Sequence, residues 1–374
     1  MSRNLYVCSF SLTLGNGRAM RTYTCIRALA MLGPVDVAYV SHDGAGPSPE
    51  YTAIDGVEFH EIDSSRGLRR ALVYASKRLQ TVPPACCRGT SPELIEVAER
   101  LAFAPGRGRI VADGVNAATA LMGLARRRPV IYNAHNLESE YPLGRDPRRA
   151  WARLGMAGYE RKLLRMAVES WMVSRTDVAS ALSMAPGARL RYVPNVVDVR
   201  AIEPRRTSGP GKTLLMVGDF TYQPNRSARD YLVERILPLV RHSIPDVRLL
   251  LVGRGLDRWR APSSGVEIAG YVPDLRNAYD QSDCVVVPLT EGAGTPLKFI
   301  EALAYGMPVI ATPLAAKGLD LVPDVHFREG ADAPSFAAAA IDVLDRGATE
   351  MAAQGRHVAE GQYSIDTLAE YIAA

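Results

Sequence analysis

Strand-like and helix-like stretches alternate along almost the whole of this 374-residue chain. Short runs rich in Val, Ile and Leu recur at Leu5–Phe10, Val35–Val40, Val57–Ile62, Arg109–Ala112, Val130–Asn133 and Ser170–Val173. Longer stretches between them, at Arg21–Leu32, Ser91–Phe103, Ala117–Ala125 and Arg148–Met166, are predicted as helices. The pattern then restarts: strands at Lys212–Val217, Val247–Val252, Val266–Ala269, Asp283–Val287 and Val309–Ala311, with helices at Ser227–His242, Thr295–Ala304, Ala333–Asp345 and Thr349–Glu360. Such alternation marks doubly wound parallel sheets. Residues 202–212, IEPRRTSGPGK, carry the Pro, Gly and Ser of a linker. The predicted fold class is therefore α/β, with two facing Rossmann-like domains over residues 1–200 and 201–362. In such sheets ligands bind beyond the carboxyl ends of the strands.

Composition adds exclusions. Hydrophobic residues at 47% and charged residues at 22% suit ordinary cores. Apolar runs such as Leu249–Val252 and Cys284–Leu289 are far too short to span a bilayer. The N-terminus enters a strand-like run without a secretory apolar core, so a cytoplasmic location is expected. The five cysteines, an odd number without a CxxC, are read as reduced. The net charge of +4 hides an asymmetry: residues 1–200 hold 27 basic and 18 acidic side chains, and residues 201–374 hold 17 and 22. Either one half faces an anionic surface or the difference is ordinary scatter. Nucleic-acid binding is disfavoured, because the Arg-rich stretches lack interleaved aromatics. No GxGxxG follows a strand, which disfavours a dinucleotide-dependent oxidoreductase. No metal-ligand cluster is evident, so neither a divalent metal nor a separate cofactor is expected.

The most informative segment is TEGAGTPLKFIEALAYGMPVIAT, residues 290–312. A strand ends in a loop of small residues, and a helix begins with Pro296 near its first turn, where proline is tolerated. Free N–H groups and the helix dipole at such an N-terminus favour an anion. Gly292 and Gly294 allow a phosphate close to the backbone. Lys298 and Glu301, three apart, share a helix face. The first is suited to a diphosphate and the second to ribose hydroxyls.

This segment resembles the donor-site signature of family-4 (group 1) glycosyltransferases of the GT-B fold. LLMVGDFTYQPNRSARDYL, VRLLLVGRG, VEIAGYVPDLRNAYDQSDCVVVPL and YVPNVVD resemble that family's flanking text, making residues 192–320 the specific part. NGRAMRTYTCIRALA and IYNAHNLESEY resemble pieces of its more divergent acceptor half. The resemblance implies transfer of a sugar from a nucleoside-diphosphate sugar to a hydroxyl acceptor (a glycan, a lipid-linked or a small-molecule acceptor), metal-independent and with retention of configuration. It also implies a terminal helix, residues 363–374, packing back on the first domain through Ile365, Leu368, Tyr371 and Ile372. Donor-binding positions carried over are Gly17, Gly218, Asn225, Tyr271, Gly294, Thr295, Lys298 and Glu301. Acceptor-binding positions are Arg21, Asp113, Asn136 and Glu138, and the catalytic pair is His135 and Glu291. Departures are visible. The first of the family's two glutamates would fall on Ala293, so Glu291 is its nearest substitute. Two expected basic positions are Asp219 and Asn225, which shifts the diphosphate's neutralisation onto Lys298.

Several of these residues carry a plainer reading. His135 follows a strand, where a neutral imidazole can donate or accept, yet a loop histidine bonded to backbone fits equally. Gly15 and Gly17 suit a tight turn, and Asp113 suits a helix cap. In residues 66–80 the apolar Leu68, Leu72, Ala75 and Leu79 fall on one helical face, with Arg69, Arg70 and Lys77 opposite. Such a helix either packs on its own domain or makes peripheral contact with an anionic inner membrane face. Two other functions stay open at this point: a sugar-nucleotide epimerase of the same fold, and a non-catalytic nucleotide-sugar binding protein.

Overall fold

A computed structural model describes the chain except residues 1, 42, 43, 45, 64–67, 88, 89, 141–150, 152, 206–210, 262, 263 and 293, and the side chain of Leu68. The chain divides into two compact units, Met1–Asn195 with Leu368–Ala374, and Val196–Thr367.

The first unit is built on a seven-stranded sheet in the order β3-β2-β1-β4-β5-β6-β7. Its strands are β1 (Arg3–Cys8), β2 (Val35–Ser41), β3 (Val57–Asp63), β4 (Arg107–Asp113), β5 (Ile131–Asn133), β6 (Glu169–Met172) and β7 (Leu190–Tyr192), all paired in parallel. Strand side chains alternate between faces. Leu5, Val7, Ile110, Ala112 and Tyr132 enter the main apolar core. Tyr6, Asp113 and Asn133, on alternate positions, form a buried polar cluster with Arg21 and Thr22 of α1 (Gly17–Leu32). Asn16 caps α1 by accepting from the Ala19 N–H.

Two further helices matter here: α2 (Leu68–Leu79) and α3 (Gly114–Ala120). The helix predicted from Arg148 is α4 (Met156–Met166), and residues 148–150 lie outside the described residues. The last helix, α9 (Ile365–Ala373), ends in this unit. Leu368 and Ile372 are buried there, Tyr371 meets Tyr192 edge to face at 5.5 Å, and Arg191 donates to the Tyr371 carbonyl.

The second unit holds six parallel strands in the order β10-β9-β8-β11-β12-β13. They are β8 (Thr213–Val217), β9 (Arg248–Val252), β10 (Val266–Gly270), β11 (Cys284–Val287), β12 (Val309–Ala311) and β13 (Arg328–Glu329). Both faces are covered, so alternate residues feed two cores: Leu215, Val285 and Val287 on one side, Leu214, Met216, Cys284 and Val286 on the other. The helix predicted over Ser227–His242 begins earlier, as α5 (Gln223–Tyr231), and passes through a π-type turn at Leu232–Ile236. Pro238 explains the interruption, since it lacks an N–H and crowds the carbonyl four residues back. The remaining helices are α6 (Leu297–Ala304), α7 (Ala333–Arg346) and α8 (Thr349–Gln362).

One reading needs correcting. Leu72 and Leu79 of α2 are 61% and 87% exposed, while Lys77 is buried and donates to the Thr119 carbonyl at 2.8 Å. The helix therefore packs through the face that carries Lys77 and shows its apolar stripe outward. The aliphatic stem of Lys77 suits burial once its ammonium has found an acceptor.

Candidate functional site

In the second unit, strand order reverses between β8 and β11, the switch point where loops diverge and leave a ligand crevice. Asn225, in the first turn of α5 after β8, donates from Nδ2 to the Asp219 carbonyl at 2.8 Å. Its Oδ1 accepts from the Lys298 Nζ at 2.6 Å, joining the loop after β8 to α6 after β11. Gly218 leaves room for that meeting. A Cβ there would stand 3.2 Å from Asn225 Nδ2 and 3.6 Å from Lys298 Nζ. No carboxylate pairs with Lys298 among the described residues, and burial pulls its ammonium down to about 8. One turn on, Glu301 accepts the Tyr279 hydroxyl at 3.3 Å, and burial lifts its carboxyl to about 7. Tyr279 is itself stacked on Tyr305, with ring centroids 3.9 Å apart.

The loop into α6 has Gly292 and Gly294 at φ 135° and 77°, conformations that favour glycine. Thr295 is buried at its end. Ala293 lies outside the described residues. This corner therefore presents a half-buried ammonium, a half-buried carboxylate and the start of a helix: one cationic group, one acceptor and a set of N–H donors. Other predicted residues are engaged with partners of their own. The Glu291 carboxylate takes the Ser227 hydroxyl at 2.5 Å. Tyr271 is 60% exposed beneath the Arg254 guanidinium, 4.8 Å from its ring centre. The Asp219 carboxylate accepts from the N–H and hydroxyl of Thr221, so its charge is engaged within its own turn.

In the first unit the strand order reverses between β1 and β4, and the polar cluster sits there. The parallel register places Asp113 opposite Asn133. The Asp113 carboxylate is wholly buried and accepts from Tyr6 at 2.6 Å, Thr22 at 2.7 Å, Asn133 at 2.9 Å and His135 Nε2 at 2.8 Å. Burial opposes its charge, but His135 and the surrounding donors outweigh burial and hold the carboxyl at about 2. His135, two residues past β5, keeps 12% of its side chain exposed. Gly114 (φ 74°) passes beside it: a Cβ there would lie 3.7 Å from both the His135 ring and Arg18 Nη2. Arg18 is exposed and stacks on Phe10 at 3.8 Å.

Two predicted acceptor residues are corrected here. Arg21 is only 2% exposed. Its guanidinium donates to Asn133 Oδ1, the Val193 and Pro194 carbonyls and Asn195 Oδ1, so it ties α1 to the chain leaving β7 and has no face for an acceptor. Asp113 is likewise fully enclosed and acts on His135 rather than on a ligand. Although Asp113 precedes α3, its side chain makes no capping bond. Gly17 opens α1 and is exposed. Asn136 is half-buried beside His135. Glu138 pairs with Arg153 at 3.3 Å, and its N–H is held by the buried Glu160 carboxylate at 2.8 Å. Sequence reasoning missed Tyr6, Thr22, Asn133, Ser227, Tyr279 and Glu160, which act only through partners distant in sequence.

Among the described residues, one trio brings possible metal-ligand atoms together: Asp36, Glu58 and His60, within 4.8 Å. Arg3 and Arg107 already engage both Asp36 oxygens, at 2.9 and 2.7 Å, so the trio belongs to an ion-pair network.

Residues 211–346 match the family model described as "Glycosyl transferases group 1". A phosphatidyl-myo-inositol mannosyltransferase of Mycobacterium leprae is 31% identical over 156 residues, 38% of this chain and 41% of that protein. The chain thus spans about two fifths of the first curated relatives it matches. A GDP-mannose-dependent alpha-(1-6)-phosphatidylinositol monomannoside mannosyltransferase of Mycolicibacterium smegmatis is 28% identical over 282 residues, 65% of this chain and 70% of that protein. Among solved structures, a sucrose-phosphate synthase from Thermosynechococcus elongatus superposes with a TM-score of 0.71 at 18% identity, covering 100% of this chain and 98% of that one. Anabaena HepE in complex with UDP and glucose gives 0.69 at 13% identity, with the same coverage. Residues 211–346 are thus similar to the group 1 glycosyltransferases, and the chain has the fold of the GT-B glycosyltransferases it superposes on.

Proposed function

We propose that the protein transfers a sugar from a nucleoside-diphosphate sugar to a hydroxyl acceptor. The observation that carries this is the Asn225–Lys298–Glu301 corner at the start of α6, inside the segment matched by the group 1 family. Lys298 and the free N–H groups of α6 would neutralise the diphosphate, and Glu301 would accept from ribose hydroxyls. Charge developing on the leaving diphosphate is then met by Lys298 and helix dipoles rather than by a divalent cation, and the family pattern implies retention of configuration. His135 would meet a substrate hydroxyl. Gly218, Gly294, Thr295, Asn225 and Tyr271 would shape the donor site, and Asn136 and Glu138 an acceptor site. The relatives' names put GDP-mannose first among donors and phosphatidylinositol lipids first among acceptors.

The test is a panel of UDP- and GDP-sugars, with and without candidate acceptors. Nucleoside diphosphate released only when acceptor is present supports transfer. A changed sugar without acceptor means epimerisation, and binding without turnover means a sensor.

No helix among the described residues is long and apolar enough to cross a membrane. The outward stripe of α2 supports a peripheral contact instead. Leu72 and Leu79 are exposed, as are Trp151 and Leu154, and Arg78 lies 6.0 Å from the Trp151 ring. Exposed apolar groups with an arginine beside them suit an anionic bilayer surface. Sedimentation with anionic but not zwitterionic vesicles, lost in a Leu72→Glu, Leu79→Glu double variant, is the expected outcome. Equal partition of wild type and variant would refute it.

A further inference from the structure

We propose that Asp113 is a positioning residue that fixes the His135 tautomer, so that Nδ1 meets the substrate as a hydrogen-bond acceptor for a sugar hydroxyl. This rests on the reading of His135 as substrate-facing. Asp113 receives four hydrogen bonds and is ionised, so it can only accept. The His135 Nε2 at 2.8 Å must therefore carry the proton. In a neutral imidazole Nδ1 is then left with its lone pair. No described group bonds to Nδ1, and the ring retains some exposure.

The carboxylate is itself oriented by a chain of contacts that begins at Arg21. That guanidinium donates to Asn133 Oδ1 from Nε at 3.1 Å and from Nη2 at 2.6 Å. The amide of Asn133 is thereby turned so that its NH2 faces Tyr6, at 2.8 Å, and Asp113. Arg21 thus sets Asn133, Asn133 and Tyr6 set Asp113, and Asp113 sets His135. The charged groups acting on the ring are Asp113, Arg18 and Arg21. Burial lowers its pKa and the Asp113 carboxylate partly restores it. The neutral acceptor form thus prevails at physiological pH.

The isosteric variant separates charge from shape. In Asp113→Asn the amide NH2 can occupy the Oδ2 place, because Thr22 already has a second acceptor in the Arg18 carbonyl at 3.1 Å. The remaining oxygen keeps its three donors. The experiment is long-range proton–nitrogen NMR on protein labelled at its six histidines, with His135 assigned by a His135→Gln variant. Wild type should show a protonated Nε2 and a bare Nδ1. Asp113→Asn should keep that tautomer but lower the ring's pKa, and Asp113→Ala should mix the tautomers. With a turned-over donor, kcat should fall roughly tenfold in Asp113→Asn and further in Asp113→Ala, at unchanged donor KM. A wild-type His135 protonated at Nδ1, or tautomers indifferent to Asp113, overturns the inference. If Asp113→Ala does not fold, the wild-type and Asp113→Asn spectra still decide. The spectra stand apart from turnover, so failure of the transferase reading would be seen separately, in the donor panel.

Discussion

Donor affinity should be bell-shaped in pH, with one limb belonging to each of two side chains on α6. Burial holds the Glu301 carboxyl at about 7 and the Lys298 ammonium at about 8 in the free protein. The signs follow from the bonds each would make. Glu301 accepts from ribose only when ionised, so affinity rises with pH through about 7. Lys298 attracts the diphosphate only when protonated, so affinity falls as pH rises through about 8. With those midpoints the doubly ionised form is about 0.6 of the molecules near pH 7.5 and about 0.09 near pH 6 or pH 9, a loss of about sixfold on either side.

The assay is calorimetry with a nucleotide sugar, whose diphosphate diester keeps its charge over this range. Buffers of different ionisation enthalpy should reveal proton release on binding along the acid limb and proton uptake along the alkaline one. Glu301→Gln should flatten the first limb and Lys298→Ala the second. Lys298→Ala should also weaken binding by roughly 1.5–3 kcal/mol, the worth of a charge-assisted contact, or tenfold and more. Affinity that is flat across the range, or limbs that survive both substitutions, would refute the assignment of the diphosphate and ribose to these residues.

Further outcomes are expected. Arg21→Ala should cost at least about 3 kcal/mol of stability by chemical denaturation, because it leaves Asn133 and two backbone carbonyls buried without donors. Arg21→Lys should rescue little of it, since an ammonium cannot span those acceptors. Gly253→Ala should fail to yield folded protein, because its Cβ would lie 1.7 Å from the Gly218 carbonyl oxygen. His135→Ala should cut turnover by roughly a hundredfold while sparing donor affinity. Turnover should survive a chelator, and the product's anomeric proton should show retention; restoration by manganese alone would contradict the metal-independent reading.

Most strands were legible because each carries a short apolar run, whereas β7 (Leu190–Tyr192) and β13 (Arg328–Glu329) carry none and have no counterpart among the predicted strands. The Lys298–Glu301 pair was legible because helical spacing needs no tertiary knowledge. Partnerships across the sheet were not. Asp113 lies 20 residues from Asn133 in sequence, and only the register of β4 against β5 sets them side by side. Arg21 does carry a signal in the sequence: it is four residues before Cys25 and eight before Leu29, both wholly buried, so it lies on the inward stripe of α1. For α2, periodicity defined two faces without saying which one packs. The Thr119 carbonyl, remote in sequence, decided that by giving Lys77 an acceptor.

Transfer of a sugar from a nucleotide to a hydroxyl is the activity proposed for this chain. Mass spectrometry of acceptors incubated with GDP- and UDP-sugars addresses it most directly. The expected product is an acceptor heavier by one sugar unit, formed with one donor class, in step with nucleoside diphosphate release and reduced at least about tenfold by Lys298→Ala. Binding of donor with no gain in acceptor mass across the panel, or product formed equally well by Lys298→Ala, would contradict it.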